Sequence, residues 1–114
     1  MKKKYYIDGK LVRTSERVYT HAVLRNGKVI ACSGSLQLAQ KEMGYWIGRC
    51  NSAIAGSQKA IAAIDAGRSS ILVTSGRYKY RCEVSPAKRA QYLADIEEYT
   101  RRKSEYSIRP LETQ

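Results

Sequence analysis

The sequence predicts an α+β fold: an antiparallel sheet built from β-hairpins, with helices packed on one face, in the order ββ-ββ-α(α)-ββ-α. Three observations carry this expectation. Two turn signals, Asp8-Gly9 and Asn26-Gly27, each sit between short apolar runs. A long stretch from Leu36 to Ala66 repeats its apolar residues at helical spacing. A second helical stretch follows Ser85-Pro86, where proline's missing N–H costs nothing.

The first hairpin spans Lys2 to Thr14, because Asp-Gly supplies the positive φ angles of a type I′ turn. The second is "YTHAVLRNGKVIACS". Strict alternation from Asn26-Gly27 pairs Arg25 with Lys28, Leu24 with Val29, Val23 with Ile30 and His21 with Cys32. Both faces are apolar near the turn, so this pair is expected to be central in the sheet. Ser35 is placed to cap the following helix. Leu36, Ala39, Met43, Trp46 or Ile47, and Cys50 form its apolar stripe, continued by Ile54, Ile61 and Ile64. Gly67 is the expected C-cap. Glycines at 44, 48 and 56 leave open whether this is one helix or a helical hairpin. The third hairpin, "SSILVTSGRYKYRCEV", is expected to turn at Ser75-Gly76. In the final helix Tyr92, Leu93, Ile96 and Tyr99 share a side, and Glu97–Arg101 and Glu98–Arg102 are favourable i, i+4 pairs. Residues 107–114 read as a loose tail.

With 114 residues, 43% of them hydrophobic, the chain is expected to form a single domain, 1–114, with one modest core. No apolar run approaches the ~20 residues of a membrane span. The basic start "MKKKYYIDGK" has no apolar stretch after it, as a signal peptide would. A soluble, cytoplasmic protein without a membrane partner is the expectation.

Lys and Arg total 21 against 10 Asp and Glu, a net charge of +11. Such an excess concentrates polyanions and acidic surfaces around a protein. Arginines outnumber lysines 11 to 10, and the guanidinium fork suits phosphates and base edges. The cations expected to bind are Arg77, Lys79 and Arg81 on the third hairpin, with Lys2, Lys3, Lys4 and Arg13 on the first. Arg25 and Lys28 flank the second turn, and Lys88, Arg89, Arg101 and Arg102 lie on the last helix.

In "SGRYKYRCEVSP", Arg77, Lys79 and Arg81 alternate with Tyr78, Tyr80 and Cys82. Tyrosines turned to the helices would be core, leaving a row of cations about 6.6 Å apart. Tyrosines turned outward could stack on bases. The first is preferred, because a chain with no Phe and one Trp needs Tyr for aromatic bulk. A merely solvated basic face has equal weight.

Catalytic machinery is hard to find. His21 opposite Cys32 is the start of a nucleophilic site, but a buried thiol beside a hydrogen-bonded histidine is the more ordinary reading. Cys32, Cys50 and Cys82 lack metal or disulfide spacing and are expected to be buried free thiols. No paired carboxylates, P-loop, GxGxxG or HExxH occurs. A non-enzyme without cofactor or metal is expected. Gly44, Gly48, Ser52, Gly56 and Ala60 recur every four residues; on a continuous helix this small-residue ridge could seat a sheet, a homodimer partner or a nucleic-acid backbone.

The segment "VRTSERVYTHAVLRNGKVIACSGSLQLAQKEMGYWIG", about a third of the chain, resembles small proteins carried by bacteriophages and prophages. The compact, basic, motif-poor profile is similar to anti-CRISPR and other anti-defence proteins. The resemblance carries no functional residue. It implies an inhibitor that acts by occlusion, occupying a nucleic-acid channel or gripping guide RNA on a host nucleoprotein complex. A stand-alone DNA- or RNA-binding regulatory protein is the alternative, and an enzyme comes third.

Overall fold

The computed structural model describes residues 1–113, and Gln114, the end of the expected tail, lies outside them. The chain is α+β, with three antiparallel hairpins and two helices packed against strands. The strands are β1 (Lys3–Ile7), β2 (Lys10–Ser15), β3 (His21–Arg25), β4 (Lys28–Ser33), β5 (Ser70–Ser75), β6 (Tyr78–Glu83), β7 (Tyr106–Pro110) and β8 (Glu112–Thr113). The helices are α1 (Leu36–Asp65) and α2 (Arg89–Lys103), the latter after a 3-10 turn at Pro86–Lys88. Two compact units divide the chain: Met1–Gly48 with Arg102–Gln114, and Arg49–Arg101.

In the first unit, two three-stranded sheets are ordered β2-β1-β8 and β4-β3-β7. Ile7 of β1 and Ala22 and Leu24 of β3 form their shared core, flanked by Val12, Val29, Cys32 and Leu111. The second hairpin is central through β3 alone, since β4 is an edge strand. Beyond the sheet, Trp46 of α1 stacks on Tyr106 of β7, centroids 6.5 Å apart. The tail is therefore not loose. β7 pairs with β3 along its length, Val23 opposite Ile108, and β8 adds to β1. Pro110 sits at the end of an edge strand, where a missing N–H costs nothing.

Both expected type I′ turns form, with positive φ at Asp8 and Gly9 and at Asn26 and Gly27. The register beyond them differs from strict alternation. Each hairpin carries a β-bulge three residues after its turn glycine, leaving Val12 and Ile30 without partners. The two turns share a local pattern, "DGKLV" and "NGKVI", that earns the same geometry twice. The bulge has a clear packing result. Val29 and Cys32, three residues apart, would face opposite ways on a regular strand; with Ile30 displaced, both pack on the same core. Cys32 consequently pairs with Ala22, and His21 pairs with Ser33. The expected His21–Cys32 juxtaposition does not exist.

Arg109 of β7 reaches the first turn, donating to both carboxylate oxygens of Asp8 at 2.6 and 2.8 Å. The hydrogen bond, then the charge, of Arg109 holds the Asp8 carboxyl below its usual range. A lowered folded pKa stabilises above the unfolded value near 4 and loses that stabilisation as pH falls through the folded value. The pair is exposed, so the effect is small. Asp8→Asn, which suits the turn, should flatten the acid limb of a stability–pH curve measured by thermal melts from about pH 5 to about pH 2.

The second unit packs Ala60 and Ala63 of α1 on Val84, with Ile64, Ile71 and Tyr92 around them. Helix α1 is one continuous element of 30 residues despite its glycines. Ser35 caps it as expected, its hydroxyl accepting the Leu38 N–H at 3.1 Å. Gly67, at φ +73, closes it, with N–H groups of Gly67 and Arg68 returning to Ile64 and Ala63. Pro86 opens the 3-10 turn before α2, but the Ser85 hydroxyl makes no capping bond. The small-residue ridge is open at its glycines, where a methyl group added at Gly44, Gly48 or Gly56 would meet no neighbouring atom within 4 Å, and it is filled only at Ala60, which is buried in this core. Gly48→Ala and Gly56→Ala should each stabilise the protein by about 0.5–1 kcal/mol in denaturant melts, because glycine in a helix interior only adds backbone entropy to lose.

Candidate nucleic-acid interface

The third hairpin closes with Ser75 opposite Tyr78. Its turn is Gly76-Arg77, one residue later than expected, because the positive φ is at Gly76, +60°, the first central position of a type II′ turn. Arg77 therefore sits in the turn and not in the strand row. Lys79 and Arg81 share one face of β6 with Thr74 and Leu72 opposite them; Tyr78, Tyr80 and Cys82 share the other with Ser75, Val73 and Ile71.

Helix packing reaches only the root of this hairpin. Ile71 joins the Ala60–Ala63 core and its partner Cys82 is half-buried. Farther out the tyrosines lose their cover: Tyr80 is 49% exposed and Tyr78 77% exposed. The expectation that these rings are core is overturned. Aromatic bulk comes instead from residues such as Tyr5, wholly buried in the first unit. From Gly76 to Arg81 every residue is exposed, on both faces of the ribbon. Arg77, Lys79 and Arg81 have no carboxylate partner among the described residues; Arg81 reaches only the Ser70 hydroxyl, at 3.3 Å. β5 and β6 form a two-stranded sheet, so among the described residues no other strand pairs with the outer backbone edge of β6.

Other expected binding residues are differently placed. Arg89 is held by Asp65 through two bonds of 2.9 and 3.1 Å, which raise the guanidinium pKa and lower that of the carboxyl. Arg25 donates to Glu105 at 3.2 Å. Arg13 lies 4.9 Å from the Tyr19 ring centroid, a cation–π arrangement. Lys3 and Lys4 alternate on β1 and so point to opposite faces, which breaks up the Lys2–Lys4 run. Lys28 is exposed beside the second turn, Lys88 in the 3-10 turn, and Arg101 on α2; Arg102, also on α2, is half-buried. Lys2, Lys3, Lys4, Arg13, Arg25, Lys28 and Arg102 belong to the first unit, and Arg77, Lys79, Arg81, Lys88, Arg89 and Arg101 to the second.

His21 Nδ1 lies 2.8 Å from the Thr20 hydroxyl. The three cysteines are free, Cys50 buried and the other two half-buried. Among the described residues no three His, Cys, Asp or Glu side chains converge as a metal site needs. None of the described helices is long and apolar enough to cross a membrane. No protein-family model, curated protein or solved structure matches the chain.

Proposed function

We propose that the protein is a small, basic, non-catalytic binding protein that engages nucleic acid through the outer half of the β5–β6 hairpin. The observation that carries this reading is the uncompensated charge there. Arg25, Arg89 and Arg109 are each tied to a carboxylate. Arg77, Lys79 and Arg81 have no such partner among the described residues and stand among exposed tyrosines. A polyanion supplies the missing counter-charge and releases its own condensed ions on binding.

In the setting implied by the resemblance to anti-defence proteins, this surface grips the nucleic acid or guide RNA of a host nucleoprotein complex in the bacterial cytoplasm, occludes that site and so inhibits the complex. A stand-alone DNA- or RNA-binding regulator would use the same hairpin. Pull-down from host lysate with and without nuclease, joined to gel shifts on free nucleic acid, separates the two. The inhibitor retains its protein partner after nuclease and gives shifts that fade near physiological salt. The regulator loses its proteins with nuclease and keeps a preferred nucleic acid at that salt. Failure to bind nucleic acid or a nucleoprotein complex in any of these assays would overturn the proposal.

A further inference from the structure

Resting on the hairpin reading above, we infer that the nucleic acid bound there is single-stranded, with bases stacked on Tyr78 and Tyr80. The two rings lie on the same face of β6, two residues apart, and so are spaced about 6.6 Å along it. In a duplex, successive bases of one strand are about 3.4 Å apart and already cover one another. No base face is left for a tyrosine. An unpaired strand can stretch until one base lies on each ring, a register that takes two stacked steps.

The exposures fit this use. Tyr78 at 77% and Tyr80 at 49% are far more open than the core at the hairpin's root requires. Val73, directly opposite Tyr80 and half-buried, gives that ring a firm neighbour on the same face. Lys79 and Arg81 project from the other face of the same strand, beside its open edge. Long cationic side chains can reach around a two-stranded ribbon to a backbone running along that edge, while its bases turn onto the tyrosines. Stacking of this kind tolerates sequence, since every base presents a π-face. The occupant is thus a single strand of either sugar type, recognised by base faces and phosphates.

The test uses the full chain with three labelled probes of equal length: a deoxythymidine oligomer, its uridine counterpart and a blunt DNA duplex. The wild type is expected to prefer the single strands. Tyr78→Ala and Tyr80→Ala should each weaken single-strand binding by about 10-fold or more, with the salt dependence unchanged, whereas Tyr→Phe at both positions should preserve affinity. Circular dichroism checks the fold, which these exposed positions should not disturb. Preference for duplex, or full single-strand affinity in the alanine pair, overturns the inference. If Arg77, Lys79 and Arg81 still prove necessary in that case, the hairpin reading stands without it. If neither set of substitutions alters binding, both fall.

Discussion

Replacing Tyr5 with Ala should destabilise the protein by about 3–5 kcal/mol, the cost of deleting a large buried side chain. Tyr5 has no exposed surface. Its ring meets Tyr19 edge-on, centroids 5.6 Å apart. Its hydroxyl donates to the Arg17 carbonyl at 2.6 Å and accepts the Tyr19 N–H at 3.0 Å, which ties the β2–β3 connection to β1. A domain is stable by only about 5–15 kcal/mol in total, so this one substitution removes a large fraction. Tyr5→Phe separates the two contributions. It keeps the packing but leaves the Arg17 carbonyl and Tyr19 N–H without their partner, at about 1–3 kcal/mol. Urea denaturation of both variants checks the pair; a loss below about 1 kcal/mol for the alanine variant would remove Tyr5 from the centre of the fold.

The second large effect is on binding. Serine at Arg77, Lys79 and Arg81 together removes three of the eleven net positive charges. If each contacts one phosphate, affinity for nucleic acid at about 0.1 M salt should fall by about 10²–10³-fold. A control removes the same charge from the first unit, with serine at Lys2, Lys3 and Lys4. Global attraction alone predicts equal losses. A hairpin that makes the contacts predicts a much larger loss for its own variant. All six side chains are exposed, so neither set should cost much stability.

The sequence showed the fold wherever one local choice was decisive. Asp8-Gly9 and Asn26-Gly27 require positive φ and set their turns alone. Register was less visible, because a bulge can answer to packing: the one at Ile30 brings Val29 and Cys32 onto one core. Taking Ser75-Gly76 as the third turn overlooked that a type II′ turn places glycine first, which moves Arg77 out of the strand. The continuity of α1 could not be read from its own residues, since glycine lowers helix propensity and packing at Ala39, Cys50, Ala60 and Ala63 opposes that effect. The last strands left almost no local signal. β8 is two residues long, and β7 is defined by pairing with β3, some 85 residues earlier in the chain.

The site was half legible. The alternation of Arg77–Arg81 with tyrosines was on view in the sequence, and so was the choice between core rings and exposed ones. What decided it is tertiary: Ala60 and Ala63 reach Ile71 at the root of the hairpin and leave Tyr80 and Tyr78 beyond their cover. The carboxylates that engage Arg25 and Arg89 are 80 and 24 residues away in the chain, so their commitment was equally hidden.

The most direct measurement is the dependence of nucleic-acid affinity on salt, taken on the wild type and on the Arg77, Lys79 and Arg81 serine variant with one single-stranded probe. If these three cations meet phosphates, the slope of log affinity against log salt should be shallower in the variant by about 2, at roughly 0.7 per contact on a single strand. Identical slopes would mean that no counterions are released at this hairpin, and the account would be wrong.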